Sequence, residues 1–181
     1  MPNASPAPWL PPKGGASQTR LLAVLQSWYV WGVLVFWTVV CGTLMLIYAL
    51  TAMVADRQRR IGHAIAMGWG RAIFLSWPCV RIAVVGRRHL PSSRPVILVA
   101  NHQSLVDIVA LLCLPYQFKF VAKSSLFQVP FLGWSMALAG YVRLARGRHG
   151  SIRETYQDAK RWLAKGLSVC FFPEGTRSRT N

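Results

Sequence analysis

From Leu21 to Ala55 the chain carries no charged residue, and few folds of a soluble protein can absorb such a run. A helix over the segment Trp28–Val54, WYVWGVLVFWTVVCGTLMLIYALTAMV, would be about 40 Å long at about 1.5 Å per residue, while a bilayer core needs only about 20 apolar residues. Trp28, Tyr29 and Trp31 at one end and Tyr48 near the other have the placing of interfacial aromatics. Arg57, Arg59 and Arg60 follow at once, which puts them on the cytoplasmic side under the positive-inside tendency. A buried core helix is the alternative, but one so long and free of charge would be unusual. The residues before it, 1–20, are rich in Pro, Gly and Ser without periodicity and are expected to form a disordered leader. No secretory cleavage pattern accompanies the apolar run.

Residues 61–78 are also apolar, but His63 and Arg71 interrupt them and Pro78 ends them. Marked at 100° per residue, their polar and apolar faces separate poorly. The expectation is an interfacial or re-entrant helix packed on the first, with a second span as the alternative that Arg71 disfavours. Residues 21–80 thus read as a membrane-associated helical region.

The balance of charge bounds the partners. There are 21 Lys+Arg against 5 Asp+Glu, yet 53% of residues are hydrophobic, which excludes a disordered basic tail. A basic and apolar chain suits an anionic membrane surface or anionic substrates. Nucleic acid is the rival, without zinc-ligand spacing, an RNP-type motif or a continuous basic helix to support it. Cys41, Cys79, Cys113 and Cys170 stand far apart in apolar settings with no CxxC, and read as buried reduced thiols. No metal ligand set is apparent.

From about Arg81 short apolar runs alternate with helical patterns. RIAVV (81–85), PVILVA (95–100), FKFVA (118–122), YVRLA (141–145) and LSVCFF (167–172) read as strands, the second and last of them buried. VDIVALLCL reads as a helix closed by Pro115, SLFQVPFLGWSMALAG as a helix broken at Pro130, and SIRETYQDAKRWLAKG as a helix ending on Gly166. This alternation implies an α/β fold, a partly parallel sheet with flanking helices, preceded by the N-terminal membrane helix region.

Two stretches carry candidate chemistry. In NHQSLVD, Asn101 and His102 lie just past the carboxyl end of a strand, where open α/β sheets place ligand crevices. Ser104 and Asp107 form S-x-x-D, a capping-box pattern. The plain reading is a helix cap beside a loop histidine. Positions 102 and 107 on one helix would be turned about 140° apart, so they meet only if His102 stands in the loop and folds back over the first turn. A cap at Ser104 starts the helix where this requires, so both readings can hold together. Asp107, ionised near a helix N-terminus, could then fix the imidazole tautomer and leave the other nitrogen as a general base. Ser104 lacks a G-x-S-x-G elbow, so the proton to be taken is that of a substrate hydroxyl attacking an acyl donor directly.

In FFPEGTRSR, at 171–179, parallel neighbouring strands would bring Glu174, Thr176 and Arg177 to the same edge as His102. Gly175 would admit close backbone approach, and Arg177 offers a fork for phosphate or carboxylate. Arg146, closing the run from Gly140, adds a further basic group.

These motifs, in this order, with Lys123 and Leu126 leading to Pro130, Phe131 and Gly133, and with Gly140, Val142 and Arg146, resemble the glycerolipid acyltransferases, most closely the lysophosphatidic acid acyltransferases. The resemblance covers about Arg81 to Ser178. It implies an O-acyltransferase at a membrane, moving a fatty acyl group from acyl-CoA or acyl carrier protein to the free hydroxyl of lysophosphatidic acid to give phosphatidic acid. No cofactor is implied beyond that acyl donor as co-substrate. By the resemblance His102 is the base and Asp107 its partner, while Arg146, Glu174, Gly175, Thr176 and Arg177 bind the acceptor with Lys123 beside them. Arg143 departs from the apolar residue such enzymes often carry there. The family continues with further sheet and a Pro-containing motif, so 81–181 is expected to be an α/β acyltransferase domain lacking its C-terminal part. An inactive anchored homologue and a basic surface or nucleic-acid binder remain as alternatives.

Overall fold

The computed structural model describes residues 16–77, 80–91, 94–145 and 149–173. Two antiparallel helices, α1 (Ala16–Thr51) and α2 (Arg60–Leu75), precede an α/β layer. Helix α1 begins inside the expected leader: Ala16–Arg20 are helical, since no proline stands between them and the apolar run to stop the helix extending backwards. Its stretch Arg20–Thr51 is, among the described residues, the one helix long and apolar enough to cross a bilayer, and it is largely exposed.

The hairpin is held by polar contacts along its seam. Tyr29 donates its hydroxyl to Ser76 O, Trp37 Nε1 donates to Ser76 Oγ, and Trp69 Nε1 donates to Thr38 Oγ1. At the turn, the Asp56 carboxylate accepts from the N–H groups of Arg60 and Ile61 at 2.9 and 2.8 Å and so closes the start of α2. Tyr48 donates to that carboxylate at 3.0 Å and is buried with Met45 against Ala139. Tyr48 is therefore a packing residue of the turn and not the interfacial aromatic its position suggests.

Helix α2 has a clear inner face, contrary to the poor separation read from its sequence. His63, Met67, Gly70 and Phe74 are buried at helical spacing while Arg71 is exposed. The stripe is hidden in the sequence because a histidine and a glycine belong to it. Gly70 is required there: a Cβ would stand 2.8 Å from Leu112 Cβ and 3.0 Å from Val109 O, so the bare backbone lets α2 lie close on the next helix.

The sheet comprises β1 (Ile97–Val99), β2 (Phe118–Lys123), β3 (Val142–Leu144) and β4 (Ser168–Phe171), in the order β1-β4-β2-β3. All three pairings are parallel, so the described sheet is wholly and not partly parallel. Helices α3 (Leu105–Leu112), α4 (Leu132–Leu138) and α5 (His149–Ala164) fill the crossovers. One sheet face packs Phe118, Phe120 and Cys170 with Leu112 of α3 and, around them, Ala66 and Trp69 of α2. The other face packs Val121, Val142 and Val169 with Ala159 of α5. Alternation along β2 and β4 accounts for this division, since successive side chains point to opposite faces.

Two expected strands are corrected. Residues 81–85 form no strand and their side chains are exposed. Their β-branched composition favours a strand, but a strand needs a ladder, and among the described residues β1 pairs only with β4. The run 95–100 is not buried throughout: β1 tucks in Leu98 but leaves Ile97 and Val99 exposed, because α5 packs on β3, β4 and β2. The thiols of Cys41, Cys113 and Cys170 are free, but only Cys170 is fully buried; Cys79 lies outside the described residues.

Candidate active site

Parallel pairing fixes where the site sits. Val99 is in register with Phe171, and Ala100 N donates to Phe171 O at 3.1 Å, so the ladder runs up to Asn101. The chain after β1 and the chain after β4 therefore leave the sheet side by side at its carboxyl edge. Lys123, the last residue of β2, ends at the same edge and is exposed, as does Leu144, the last residue of β3.

After β1 the backbone turns into α3 through the capping box that S-x-x-D predicts. Ser104 is the N-cap, in extended conformation, and its Oγ accepts from Val106 N at 2.9 Å. Asp107, in the third helical position, reaches back so that its Oδ2 accepts from Gln103 N and Ser104 N, both at 2.7 Å. Two short bonds hold the carboxylate in one orientation. Partial burial pushes the Asp107 carboxyl up, but these backbone N–H groups and the neighbouring His102 outweigh it, so the acid is held below the usual carboxylate range. It is ionised at neutral pH.

His102 stands in the loop ahead of the helix and folds back over its first turn. Its Nδ1 lies 3.5 Å from Asp107 Oδ2. That is ion-pair distance, but Nδ1 is buried and makes no hydrogen bond, so the contact is looser than the 2.7–3.2 Å of a formed bond. The imidazole also rests on the ring of Phe172, the residue after β4, with centroids 4.6 Å apart and planes 37° apart. Phe172 in turn stacks on Phe120 of β2, 5.9 Å away and 10° from parallel. The sequence gives one sign of this contact: paired phenylalanines at the end of a strand running alongside β1.

Of the site residues expected from sequence, the structure thus brings His102 and Asp107 together and places Lys123 along the same sheet edge. Arg146, Glu174, Gly175, Thr176 and Arg177 lie outside the described residues. Among the described residues no group of three or more His, Cys, Asp or Glu is placed to hold a metal ion.

The sequence model of the family described as Acyltransferase matches residues 81–181. The chain belongs to the acyltransferase family. The match spans the α/β layer and both motif-bearing strands, and leaves the α1–α2 hairpin outside it. Among similar proteins are a 1-acyl-sn-glycerol-3-phosphate acyltransferase of Chlamydomonas reinhardtii, 40% identical over 136 residues, covering 74% of this chain and 40% of that protein. A chloroplastic 1-acyl-sn-glycerol-3-phosphate acyltransferase of Arabidopsis thaliana is 39% identical over 154 residues, covering 80% of this chain and 43% of its own length. The chain thus spans less than half the length of these two curated relatives. Among solved structures, the 1-acyl-sn-glycerophosphate acyltransferase of Thermotoga maritima superposes with a TM-score of 0.70 at 28% identity, covering 88% of this chain and 63% of that one. That overlap extends beyond the acyltransferase match, so it takes in part of the N-terminal hairpin as well as the sheet.

Proposed function

We infer that this acyltransferase moves a fatty acyl group from a thioester donor, acyl-CoA or acyl carrier protein, to the free hydroxyl of lysophosphatidic acid, giving phosphatidic acid. The observation that carries the reading is the facing of His102 Nδ1 and Asp107 Oδ2 at the carboxyl edge of a sheet of this family. Relatives named for acylation of 1-acyl-sn-glycerol-3-phosphate support the choice of acceptor. The chemistry follows from the geometry. With Nδ1 turned to Asp107, Nε2 is the nitrogen left to meet a substrate. It takes the proton of the acceptor hydroxyl as the oxygen bonds to the thioester carbonyl carbon. The imidazolium, steadied by the ionised Asp107, returns that proton to the leaving thiolate as the tetrahedral intermediate collapses. No covalent enzyme intermediate forms. General-base assistance of this kind contributes about 10²–10⁴-fold.

Arg146, Glu174, Gly175, Thr176 and Arg177, together with Lys123, bind the acceptor and its phosphate in this reading. The exposed apolar α1 lies in the membrane that supplies the lipid, and the catalytic layer stands on the cytoplasmic side. The test is thiol release from an acyl donor in membranes, with and without lysophosphatidic acid. Release should depend on the acceptor and be lost in a folded His102→Ala protein. Acceptor-independent release, or undiminished transfer by that variant, would refute the assignment.

A further inference from the structure

Among the described residues His102 meets the Asp107 carboxylate and the Phe172 ring, and it is the ring that is placed to set the plane of the imidazole. The Asp107 carboxylate is fixed by two backbone N–H groups at 2.7 Å, yet Nδ1 stays 3.5 Å away and forms no hydrogen bond. At that distance the attraction between imidazole and carboxylate is weakly directional, and the ring could swing about its side-chain bonds without losing much. The Phe172 ring, by contrast, lies against the imidazole at a centroid distance of 4.6 Å, within the range where aromatic pairs have a preferred geometry.

Phe172 is itself held from behind. Phe120, which is 3% exposed, stacks on it nearly parallel. Phe118 and Tyr141 meet Phe120 edge to face at 4.8 and 5.5 Å. Register does the placing: Phe171 pairs with Val99, so the next residue turns to the α3 side, where the loop carrying His102 crosses. The wall under the imidazole is thus built from two strands and a packed core, and a rigid wall is what a loop residue needs to stay in one orientation.

We propose that Phe172 is a positioning residue for His102, fixing the imidazole so that Nδ1 faces Asp107 and Nε2 faces the acceptor hydroxyl. This rests on the function inferred above for the kinetic part, but the orientation itself can be measured without turnover.

The full chain in detergent micelles, labelled with ¹⁵N-histidine, gives both readings. The chain has four histidines, so a His102→Ala spectrum assigns the signals of His102. In the wild type at pH 8, His102 should show one tautomer, protonated on Nδ1. Phe172→Leu, which keeps apolar bulk but removes the flat face, should show averaged tautomers. It should also lose about 10- to 100-fold in kcat, as expected for a misplaced catalytic group, with unchanged KM for donor and acceptor. Phe172→Tyr, which keeps the face, should restore the single tautomer and most of the kcat. Should Phe172→Leu fail to fold, Phe172→Met repeats the test with a longer flexible side chain. A folded variant without the flat face, Phe172→Leu or Phe172→Met, that keeps the wild-type histidine spectrum overturns the proposal, whether or not its kcat falls. If the wild type transfers no acyl group to any lysophospholipid, the functional reading fails, and the spectra alone then decide whether Phe172 holds the ring.

Discussion

In the proposed mechanism Asp107 has two tasks in one carboxylate, and paired substitutions separate them. Asp107→Asn keeps an oxygen that can accept from Gln103 N and Ser104 N but removes the charge. Hydrogen bonds to charged groups contribute about 1.5–3 kcal/mol against about 0.5–1.5 kcal/mol for neutral ones. Two bonds downgraded in this way cost about 2 kcal/mol, and exposure of a third of the side chain reduces that to about 1 kcal/mol. Ser104→Ala removes the other half of the capping box, the bond from Val106 N at 2.9 Å, and also costs about 1 kcal/mol. The two variants should therefore be about equally destabilised in thermal unfolding. Their activities should part. Ser104→Ala leaves the carboxylate facing His102 and should keep kcat/KM within a few-fold, while Asp107→Asn should lose about 10²-fold or more as the imidazole loses its charged partner. The pH dependence has a definite sign. The folded-state pKa of Asp107 is lowered, so its stabilisation is fully present above the unfolded value of about 3.9 and is lost as pH falls below it; Asp107→Asn should flatten that acid limb. If both variants lose activity equally, in step with their stability, Asp107 is a helix cap and nothing more.

Arg177→Ala should lower kcat/KM for a phosphate-bearing acceptor by about 10- to 150-fold, the worth of one charge-assisted hydrogen bond, with little change in donor KM; equal damage with a phosphate-free acceptor would contradict a phosphate role. Lys119 is wholly buried, and its Nζ donates to Arg59 O and Ala139 O at 2.9 Å each. Burial pulls its pKa down from 10.5 to about 7, so between those values the unfolded chain holds the proton that the folded chain has lost. Stability should rise with pH through that window, and Lys119→Met should flatten the rise in a thermal-shift series. His63 is likewise buried, with Nε2 donating to Tyr116 O and Nδ1 accepting from Tyr141 Oη in the tautomer these partners require. Burial lowers its pKa from 6.5 to about 3, so stability should fall as pH drops from 6.5 towards 3. His63→Gln should lessen that fall; an unchanged pH profile of unfolding would show that His63 is not the group responsible.

How much of this was legible in the sequence depended on whether the determinant was local. The capping box is spelled out by four adjacent residues, and it alone fixes where α3 begins and hence where His102 can stand. The broken helix at Pro130 and the end at Gly166 are legible for the same reason: Gly166 takes a φ of 78°, which a glycine tolerates without strain. Partners remote in the chain are another matter. RIAVV is strand-like in composition, but its neighbours decide whether a ladder forms. Tyr48 reads as an interfacial aromatic until Asp56 and Ala139 are seen to enclose it. Lys119 sits inside FKFVA, and nothing in that pentapeptide reveals the two carbonyl oxygens, from Arg59 and Ala139, that make its burial tolerable. The wall formed by Phe172 is intermediate: its residues are conspicuous, but their target emerges only from the register of β1 on β4.

The order β1-β4-β2-β3 also sets a timetable. During synthesis β2 and β3 can pair as soon as both have emerged, whereas among the described residues β1 has no partner until Ser168–Phe171 has been made. Closing so long a loop is slow and entropically costly, so the first strand waits beside the hairpin while the rest of the sheet grows. When β4 slots between β1 and β2, it ties the strand before His102 to the strand before Phe172 in one event. A nascent chain therefore lacks the paired strand ends on which His102 and Phe172 meet. The two halves of the site are born together, and late.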